Sequence, residues 1–361
     1  MGRPRSAGDG RGGGAGVSGE YVERAKLRHH GDADVRAGML DFAVNVQGDA
    51  PPDWLRARLA ARLGDLGRYP GAGEAAAARS AVAARHGRTP DEVLLLAGAA
   101  EGFAMLPRLA PELAAVIHPS FTEPELALRE AEVAVARVVL QPPYELDPAL
   151  VPDAADLVVL GNPTNPTSVL HPASVIRALR RPGRIVVVDE AFADAIPGEV
   201  ESLAAESLPD VLVLRSLTKT WALAGLRCGY FLGPHDLLAR LDHGRAHWPL
   251  GTLQLEAVAA TAQPEAVAES RSHATRIAAD RAAMIPRLRE LGVEVGEPAR
   301  GPFLLIRVPD AELLRKRLAD KGIAVRRGDT FPGLGPGHLR VAVRGSAQVD
   351  RLVAAIQEVG L

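Results

Sequence analysis

Residues 185–219 decide the fold and read IVVVDEAFADAIPGEVESLAAESLPDVLVLRSLTK. The stretch contains two short aliphatic runs, Ile185 to Val188 and Val211 to Leu214. Runs that are apolar on both faces are typical of parallel strands covered by helices on both sides. Asp189 ends the first run, and Lys219 follows shortly after the second. Because ligands of open α/β sheets bind at the carboxyl ends of the strands, this stretch predicts both a sheet and a site.

Similar runs lie on both sides of this stretch. They are Val93 to Leu96, Ala114 to Ile117, Val135 to Leu140, Leu157 to Leu160 and Gly229 to Leu232. With the first two they predict a large α/β domain over residues 46–245, built on a mostly parallel seven-stranded sheet. Residues 246–361 are expected to form a connecting helix and a small α+β C-terminal domain. Residues 21–45 are expected to be an N-terminal arm, and the Gly/Arg/Ser-rich residues 1–20 a disordered tail.

Composition limits the class of protein. The chain has 361 residues, 47% of them hydrophobic and 24% charged, which is typical of a globular protein of two domains. A net charge of −2 gives no reason to expect a nucleic acid or a membrane as partner. The single cysteine, Cys228, cannot form an internal disulfide, and the N-terminal residues lack the apolar stretch of a signal peptide. We therefore expect a cytoplasmic protein.

The lysines are few enough to be considered individually. Four of the 42 basic residues are lysines and the other 38 are arginines. Lys219 is the lysine that follows a predicted buried strand, where desolvation lowers the pKa of an amine and makes it nucleophilic. A primary amine can also form an imine, which a guanidinium cannot. From its position alone, Lys219 is either an imine-forming residue or part of an ordinary ion pair.

Two more polar side chains follow predicted strands. Asp189 could be a metal ligand, a structural cap or the partner of a protonated ring nitrogen. No cluster of His, Cys and carboxylates at ligand spacing accompanies it, so the sequence predicts no metal. Asn165 lies in Asn162–Ser168, where two Asn-Pro pairs form a turn that places an amide at the sheet edge.

A phosphate site is indicated by the small residues Gly98–Gly102, which follow a strand and open a helix. Free amides at such a helix start can bind phosphate, although many similar turns bind nothing. Ser216 and Arg227 add a hydroxyl and a guanidinium. Together with a lysine for an imine, a carboxylate for a ring nitrogen and an amide for a ring oxygen, this set describes a site for pyridoxal 5'-phosphate.

The same residues resemble a known family, the fold-type I pyridoxal-phosphate enzymes of the histidinol-phosphate aminotransferase group. Within it, Asp189–Phe192, Val213–Lys219 and Gly225–Arg227 look most like the L-threonine-O-3-phosphate decarboxylases of cobalamin biosynthesis. Near the N-terminus, residues 29–32 and 41–45 are similar to the His-Gly-Gly and Asp-Phe-Ser-Ala-Asn segments of these decarboxylases.

The resemblance implies a role for each matching residue. Lys219 would hold the cofactor and shuttle protons, Asp189 would keep the pyridine nitrogen protonated, and Asn165 would bind the 3'-oxygen. Other cofactor contacts would come from the amides of Ala99 and Ala100, from Ser216 and Arg227 on the phosphate, and from Phe121 stacked on the ring. Tyr69 would reach the cofactor phosphate of a neighbouring subunit, which implies a homodimer. A small phosphorylated amino acid would be bound by Arg340 at its carboxylate and by Arg326, with His30 as a helper, at its phosphate.

Four positions depart from what is usual in the group. Phe192 stands where the aminotransferases usually carry tyrosine, and Phe121 replaces a stacking tyrosine; both changes favour a decarboxylase. Asp32 and Ser168 stand where glycine is usual. We therefore expect decarboxylation of L-threonine O-3-phosphate to (R)-1-amino-2-propanol phosphate. The alternatives are an aminotransferase of the histidinol-phosphate type and a non-catalytic relative on the same fold.

Overall fold

The structure is a computed structural model that describes residues 23–361. The predicted tail at residues 1–20 lies outside the described residues. The strands are β1 Leu40–Asp41, β2 Val93–Leu96, β3 Leu113–His118, β4 Ala134–Val139, β5 Leu157–Gly161, β6 Ile185–Asp189, β7 Val211–Ser216, β8 Gly229–Leu232, β9 Glu294–Val295, β10 Phe303–Arg307, β11 Ile323–Ala324, β12 Arg326–Arg327 and β13 His338–Ala342. The α-helices are Asp53–Ala61, Ala72–His86, Ala99–Met105, Glu123–Glu130, Ala173–Arg177, His235–Asp242, Thr252–Thr261, Pro264–Arg289, Ala311–Asp320 and Ser346–Val359.

The large sheet has the strand order β2-β8-β7-β6-β5-β3-β4. Only β8 runs antiparallel to its neighbours, so the predicted mostly parallel seven-stranded sheet is confirmed. In register, Asp189 pairs with Gly161 on one side and with Leu214 on the other. The carboxyl ends of β5, β6 and β7 are therefore level, which brings the residues that follow these strands to one edge.

The central strands are buried on both faces because their aliphatic residues alternate between two hydrophobic cores. Val186 and Val188 pack into one core, and Val187, between them, packs into the other. Each of these side chains is fully buried, a contribution of roughly 1.5–3 kcal/mol apiece. This burial fixes the sheet edge at which the polar residues lie.

The C-terminal part has its own sheet and core. Its antiparallel sheet has the order β12-β13-β10-β9, and β11 pairs in parallel with β1 from the N-terminal arm. Strands β11 and β12 are separated by Val325 alone, yet they belong to different sheets. Phe42, directly after β1, is fully buried in the C-terminal core, so the arm is anchored there.

The arm then continues to the large sheet, where the backbone N–H of Gln47 donates to the carbonyl oxygen of Lys219 at 2.8 Å. It thereby passes from the C-terminal sheet to the loop that carries the predicted imine-forming lysine. Within residues 23–361, no helix combines the length and the apolar character needed to cross a membrane.

Candidate active site

A cavity of about 460 Å³ lies at the carboxyl ends of the central strands and is also lined by residues of the C-terminal sheet. Most of the residues predicted from the sequence line it. They are His30, Ala99, Ala100, Phe121, Asn165, Asp189, Ser216, Lys219, Arg227, Arg326 and Arg340. Tyr69 lies outside this cavity. The cavity thus brings together residues that are up to 310 positions apart in the sequence.

Lys219 reaches the cavity from the loop after β7. Burial lowers the pKa of its amine to about 8, and the positive charges of Arg340 and Arg227 act in the same direction. Asp32 and Asp189 oppose this shift through weaker charge effects. An amine with this lowered pKa is largely neutral slightly above pH 8, which is the form that attacks a carbonyl carbon.

Asp189 ends β6 inside the cavity. Burial raises the pKa of its carboxyl to about 7, although the Ala191 amide donates to Oδ1 at 3.0 Å and opposes the shift. A carboxylate in such surroundings is stabilised by a cation placed against it, such as the protonated nitrogen of a heteroaromatic ring. Among residues 23–361, no group of three or more His, Cys, Asp or Glu side chains is arranged to hold a metal ion.

Arg227 lines the cavity, and its guanidinium lies against Gly98. Gly98 has a φ of +86°, and a Cβ placed on it would lie 2.8 Å from Nη2 of Arg227. The guanidinium of Arg227 therefore packs against the backbone of Gly98, just before the helix Ala99–Met105 and next to the amides predicted to bind phosphate. Ser216 adds its hydroxyl at the end of β7. Guanidinium, hydroxyl and helix-start amides make a donor set that fits a phosphate group.

Asn165 and Arg340 are joined directly. Nη1 of Arg340 donates to Oδ1 of Asn165 at 2.7 Å, and Nη2 donates to the carbonyl oxygen of Ala43. Because Oδ1 is used in this way, the amide nitrogen of Asn165 remains to donate to a ring oxygen. Burial lowers the pKa of Arg340 to about 9, with the charge of Arg326 adding to the effect.

Arg326 lies directly opposite Arg340, because the two residues are cross-strand partners on β12 and β13. Its Nη2 donates to the carbonyl oxygen of His29 and to the hydroxyl of Thr330, both at 2.7 Å, and its guanidinium lies over the ring of Phe331. Burial lowers its pKa to about 10. Two buried like charges placed opposite each other are unfavourable, so the pair is suited to an anionic ligand.

Two residues of the site were missed in the sequence analysis. Asn45 is only 2% exposed and lines the cavity, yet neither atom of its side-chain amide has a hydrogen-bond partner in the described part of the chain. A buried amide without partners is costly unless a ligand satisfies it. Asn45 could have been found from the sequence, because it lies in residues 41–45, the segment that is similar to one of the known family. Glu123 also lines the cavity, with Oε1 located 2.5 Å from Nε2 of His30, and no sequence pattern marked it.

Three of the departures have visible consequences. Ser168 adopts a φ of +67°, which explains why glycine suits this turn, and its buried hydroxyl accepts from the Gly301 amide at 2.8 Å. Phe192 packs edge-on against Phe303 with ring centroids 4.9 Å apart, and so places no hydroxyl at the cavity wall. Asp32 lines the cavity and adds a negative charge near Lys219.

Tyr69 is 73% exposed and stacks on Trp248, with ring centroids 4.4 Å apart. Its predicted role concerns the cofactor of a second subunit, so its location outside the cavity of its own chain leaves that prediction open.

The fold and the site together define a fold-type I pyridoxal-phosphate enzyme. Lys219 and Asp189, each partly buried, face one cavity at the carboxyl ends of a mostly parallel sheet, next to a donor set for phosphate. The chain belongs to the aminotransferase class I and II family, whose family model matches residues 37–356.

Several known proteins are similar to this chain in sequence or in structure. A histidinol-phosphate aminotransferase of Mycobacterium tuberculosis (strain ATCC 25618 / H37Rv) is 60% identical over 92% of this chain and 91% of its own length. The threonine-phosphate decarboxylase of Salmonella typhimurium is 31% identical over 89% of this chain and 91% of its own length. The crystal structure of the histidinol-phosphate aminotransferase from Clostridium acetobutylicum has a TM-score of 0.81 at 22% identity and covers 89% of this chain and 99% of that one.

These findings confirm that the protein is an enzyme and that pyridoxal phosphate is its cofactor. The alternative of a non-catalytic relative loses its support, because the named relatives are enzymes. Between the two reactions, the relatives favour the aminotransferase alternative over the decarboxylase that the sequence analysis ranked first.

Proposed function

We propose that the protein is a pyridoxal-phosphate-dependent aminotransferase that acts on a phosphorylated amino compound, with histidinol phosphate as the first substrate to test. The observation that carries this proposal is the cross-strand pair Arg326 and Arg340, two buried guanidinium groups in the cavity that also holds Lys219 and Asp189. The 60% identity to a histidinol-phosphate aminotransferase supports the choice of reaction.

Pyridoxal phosphate, when bound, supplies an aldehyde that condenses with amines and a protonated ring that withdraws electrons from the bonds at Cα. The residues of the chain supply the rest. Lys219 would hold the cofactor through its amine and would move a proton to or from Cα of the substrate. Asp189 would hold the proton on the ring nitrogen, and the amide nitrogen of Asn165 would donate to the ring oxygen. Arg227 and Ser216 would bind the cofactor phosphate.

Both halves of a transamination can use the two arginines. A keto acid with two carboxylates would place one on Arg340 and the other on Arg326. A phosphorylated amine would place its phosphate on Arg326. Histidinol phosphate carries no carboxylate on Cα, so for this substrate the bond that breaks at Cα is the bond to hydrogen.

Decarboxylation of L-threonine O-3-phosphate is the second candidate. Phe192 favours it, because the aminotransferases of the group usually carry a tyrosine at this position. The side chain is buried against Phe303 and offers no hydroxyl to the ring oxygen that Asn165 would bind. Arg340 and Arg326 would then hold the carboxylate and the phosphate of one substrate at the same time.

Two assays on the holoenzyme separate these reactions. We expect glutamate to form from histidinol phosphate and 2-oxoglutarate, with no turnover when the keto acid is omitted. We expect no carbon dioxide from L-threonine O-3-phosphate in the absence of a keto acid. Carbon dioxide release in the second assay without glutamate formation in the first would overturn the proposal in favour of the decarboxylase. The variant Lys219→Ala is the control, because it lacks the residue required by both reactions.

We further propose that the working unit is a homodimer in which Tyr69 contributes to the neighbouring site. Tyr69 and Trp248 form an exposed aromatic stack, and Leu63 and Leu66 are also more than half exposed. Exposed apolar side chains of this size support an interface with another protein surface.

A further inference from the structure

Glu123, like Asp32 and Asp189, places a carboxylate in the cavity that also contains the guanidinium groups of Arg326 and Arg340. It begins the helix Glu123–Glu130, directly after the loop that carries Phe121. A free carboxylate here would repel a phosphate, since the two charges would share a partly desolvated space. Its Oε1 lies 2.5 Å from Nε2 of His30, so the negative charge is directed at the imidazole.

His30 is held on two sides. Glu123 occupies its Nε2, and its ring packs against Phe121 with centroids 5.3 Å apart. The nitrogen that remains for a ligand is therefore Nδ1. The preceding residue, His29, accepts a hydrogen bond from Arg326 through its carbonyl oxygen. The segment that presents His30 is thus bound directly to one of the two cavity arginines.

We propose that Glu123 is a positioning residue for substrate recognition, which orients His30 so that its free ring nitrogen and Arg326 together bind the phosphate of the substrate. The inference rests on the proposed function, because it concerns the phosphate end of that substrate. Glu123 itself does not touch the phosphate; it acts through His30. Removal of Glu123 should therefore weaken binding only when the ligand carries a phosphate and only when His30 is present.

The test compares ligands and variants in a double-mutant cycle. Holoenzyme is titrated with histidinol phosphate and with histidinol, and the KM for each is measured in the presence of 2-oxoglutarate. We expect Glu123→Ala and His30→Ala each to raise the KM for histidinol phosphate by about tenfold, the usual loss for one charge-assisted hydrogen bond. The KM for histidinol and the kcat should stay close to the wild-type values. The double variant should match His30→Ala alone.

Glu130→Gln is the matched control. Glu130 lies on the same helix and also pairs with the N-terminal arm, through Arg24 and Arg28, but it does not line the cavity. We expect no change in KM for this variant. If Glu123→Ala affects both ligands equally, or adds its full effect to that of His30→Ala, Glu123 has only a structural role and the proposal fails.

Binding of inorganic phosphate to the holoenzyme, measured by calorimetry, separates this proposal from the proposed function. If wild-type enzyme turns over neither substrate but binds phosphate, and Glu123→Ala weakens that binding only when His30 is present, the proposed function fails and the positioning role stands. If the wild-type holoenzyme transaminates histidinol phosphate but the variant binds phosphate as tightly as wild type, the positioning role fails alone. Absence of both turnover and phosphate binding overturns both.

Discussion

Lys219 and Asp189 have pKa values shifted toward each other by the same cavity. Burial lowers that of the amine to about 8 and raises that of the carboxyl to about 7. Each shift favours the neutral form, and the positive charge of a protonated cofactor ring next to Asp189 would favour the ionised carboxylate again. Perturbed pKa values of this kind cluster at functional sites.

The amine of Lys219 should therefore titrate more than two pH units below an ordinary lysine. Competitive labelling of the apoenzyme with a trace acylating reagent, followed by mass spectrometry, should give a midpoint near pH 8 for Lys219. In Arg340→Gln the midpoint should rise, because one of the positive charges that disfavour the protonated amine is removed. The peptide containing Lys316 serves as an internal reference for the reagent. A midpoint near 10.5 in the wild-type apoenzyme would contradict the role of burial.

The carboxyl of Asp189 should make the apoenzyme less stable at high pH. Because its pKa rises from 3.8 to about 7 on folding, the folded chain loses stability as the pH increases from about 4 to 7, and the loss is complete above pH 7. A rise of about 3 pKa units at about 1.4 kcal/mol per unit corresponds to roughly 4 kcal/mol, so Asp189→Asn should raise the free energy of unfolding at pH 8 by up to that amount.

Denaturant unfolding of the Asp189→Asn apoenzyme at two pH values provides the measurement. The gain should shrink to about 1 kcal/mol or less at pH 4.5, where the wild-type carboxyl is protonated in the folded chain. The same variant should bind the cofactor more weakly. The exposed Asp153 offers the control Asp153→Asn, for which we expect no pH-dependent gain. An equal gain at both pH values would exclude ionisation of Asp189 as the cause.

At the scale of elements, the strands that can be predicted from the sequence are those with a recognisable local pattern of aliphatic residues. The central strands contain uninterrupted aliphatic runs, and β6 and β7 lie where these runs predict them. The short strands β1 and β12 have two residues each, too few for a period, and they form because tertiary contacts bring their partners close. The same limit applies to the site. Lys219 and Asp189 follow recognisable strands, whereas the Glu123–His30 contact joins residues from separate segments and has no local signal.

The turn before the helix Ala99–Met105 allows a test at this scale. In Gly98→Ala the new Cβ would lie 2.8 Å from Nη2 of Arg227, so the guanidinium must move away from the cofactor phosphate. We expect the dissociation constant of the cofactor to rise by about tenfold or more, as for the loss of a charge-assisted hydrogen bond. Absorbance titration of the apoenzyme with pyridoxal phosphate measures this constant.

Gly87→Ala is the control for a glycine with a positive φ. Gly87 has a φ of +65°, but a Cβ there would meet no atom within 4 Å. Gly87→Ala should lose about 1 kcal/mol of stability because Gly87 is in the left-handed helical region. Gly98→Ala should lose more, because a φ of +86° with a ψ of 162° is a conformation that is essentially restricted to glycine. Only Gly98→Ala should lose cofactor affinity. Similar cofactor affinities in the two variants would show that Arg227 does not depend on the space left by Gly98.

At the scale of the whole molecule, the N-terminal arm connects the two sheets. Strand β1 pairs with β11, Phe42 is buried in the C-terminal core, and Gln47 donates to the Lys219 carbonyl oxygen. The turn between them contributes Asn45 to the cavity and the carbonyl oxygen of Ala43 to Arg340. The cavity is therefore built from both sheets and the arm, so its shape depends on the folding of the entire described chain.

The proposed homodimer leads to a prediction that concerns the sharing of sites between subunits. Tyr69→Phe keeps the aromatic stack on Trp248 but removes the hydroxyl predicted to reach the partner's cofactor phosphate. At a limiting cofactor concentration this variant should be largely inactive, as should Lys219→Ala. In a mixed dimer, one site combines the Lys219 of the first chain with the Tyr69 of the second, and is intact. When the two variants are mixed in equal amounts, about half of all dimers should be mixed, so activity should recover to roughly a quarter of the wild-type value.

Native mass spectrometry of differently tagged chains establishes that mixed dimers have formed. If they form and no activity returns, Tyr69 does not act across the interface. Recovery would locate the hydroxyl in the partner's site, because no arrangement within one chain restores a site when each variant carries its own defect.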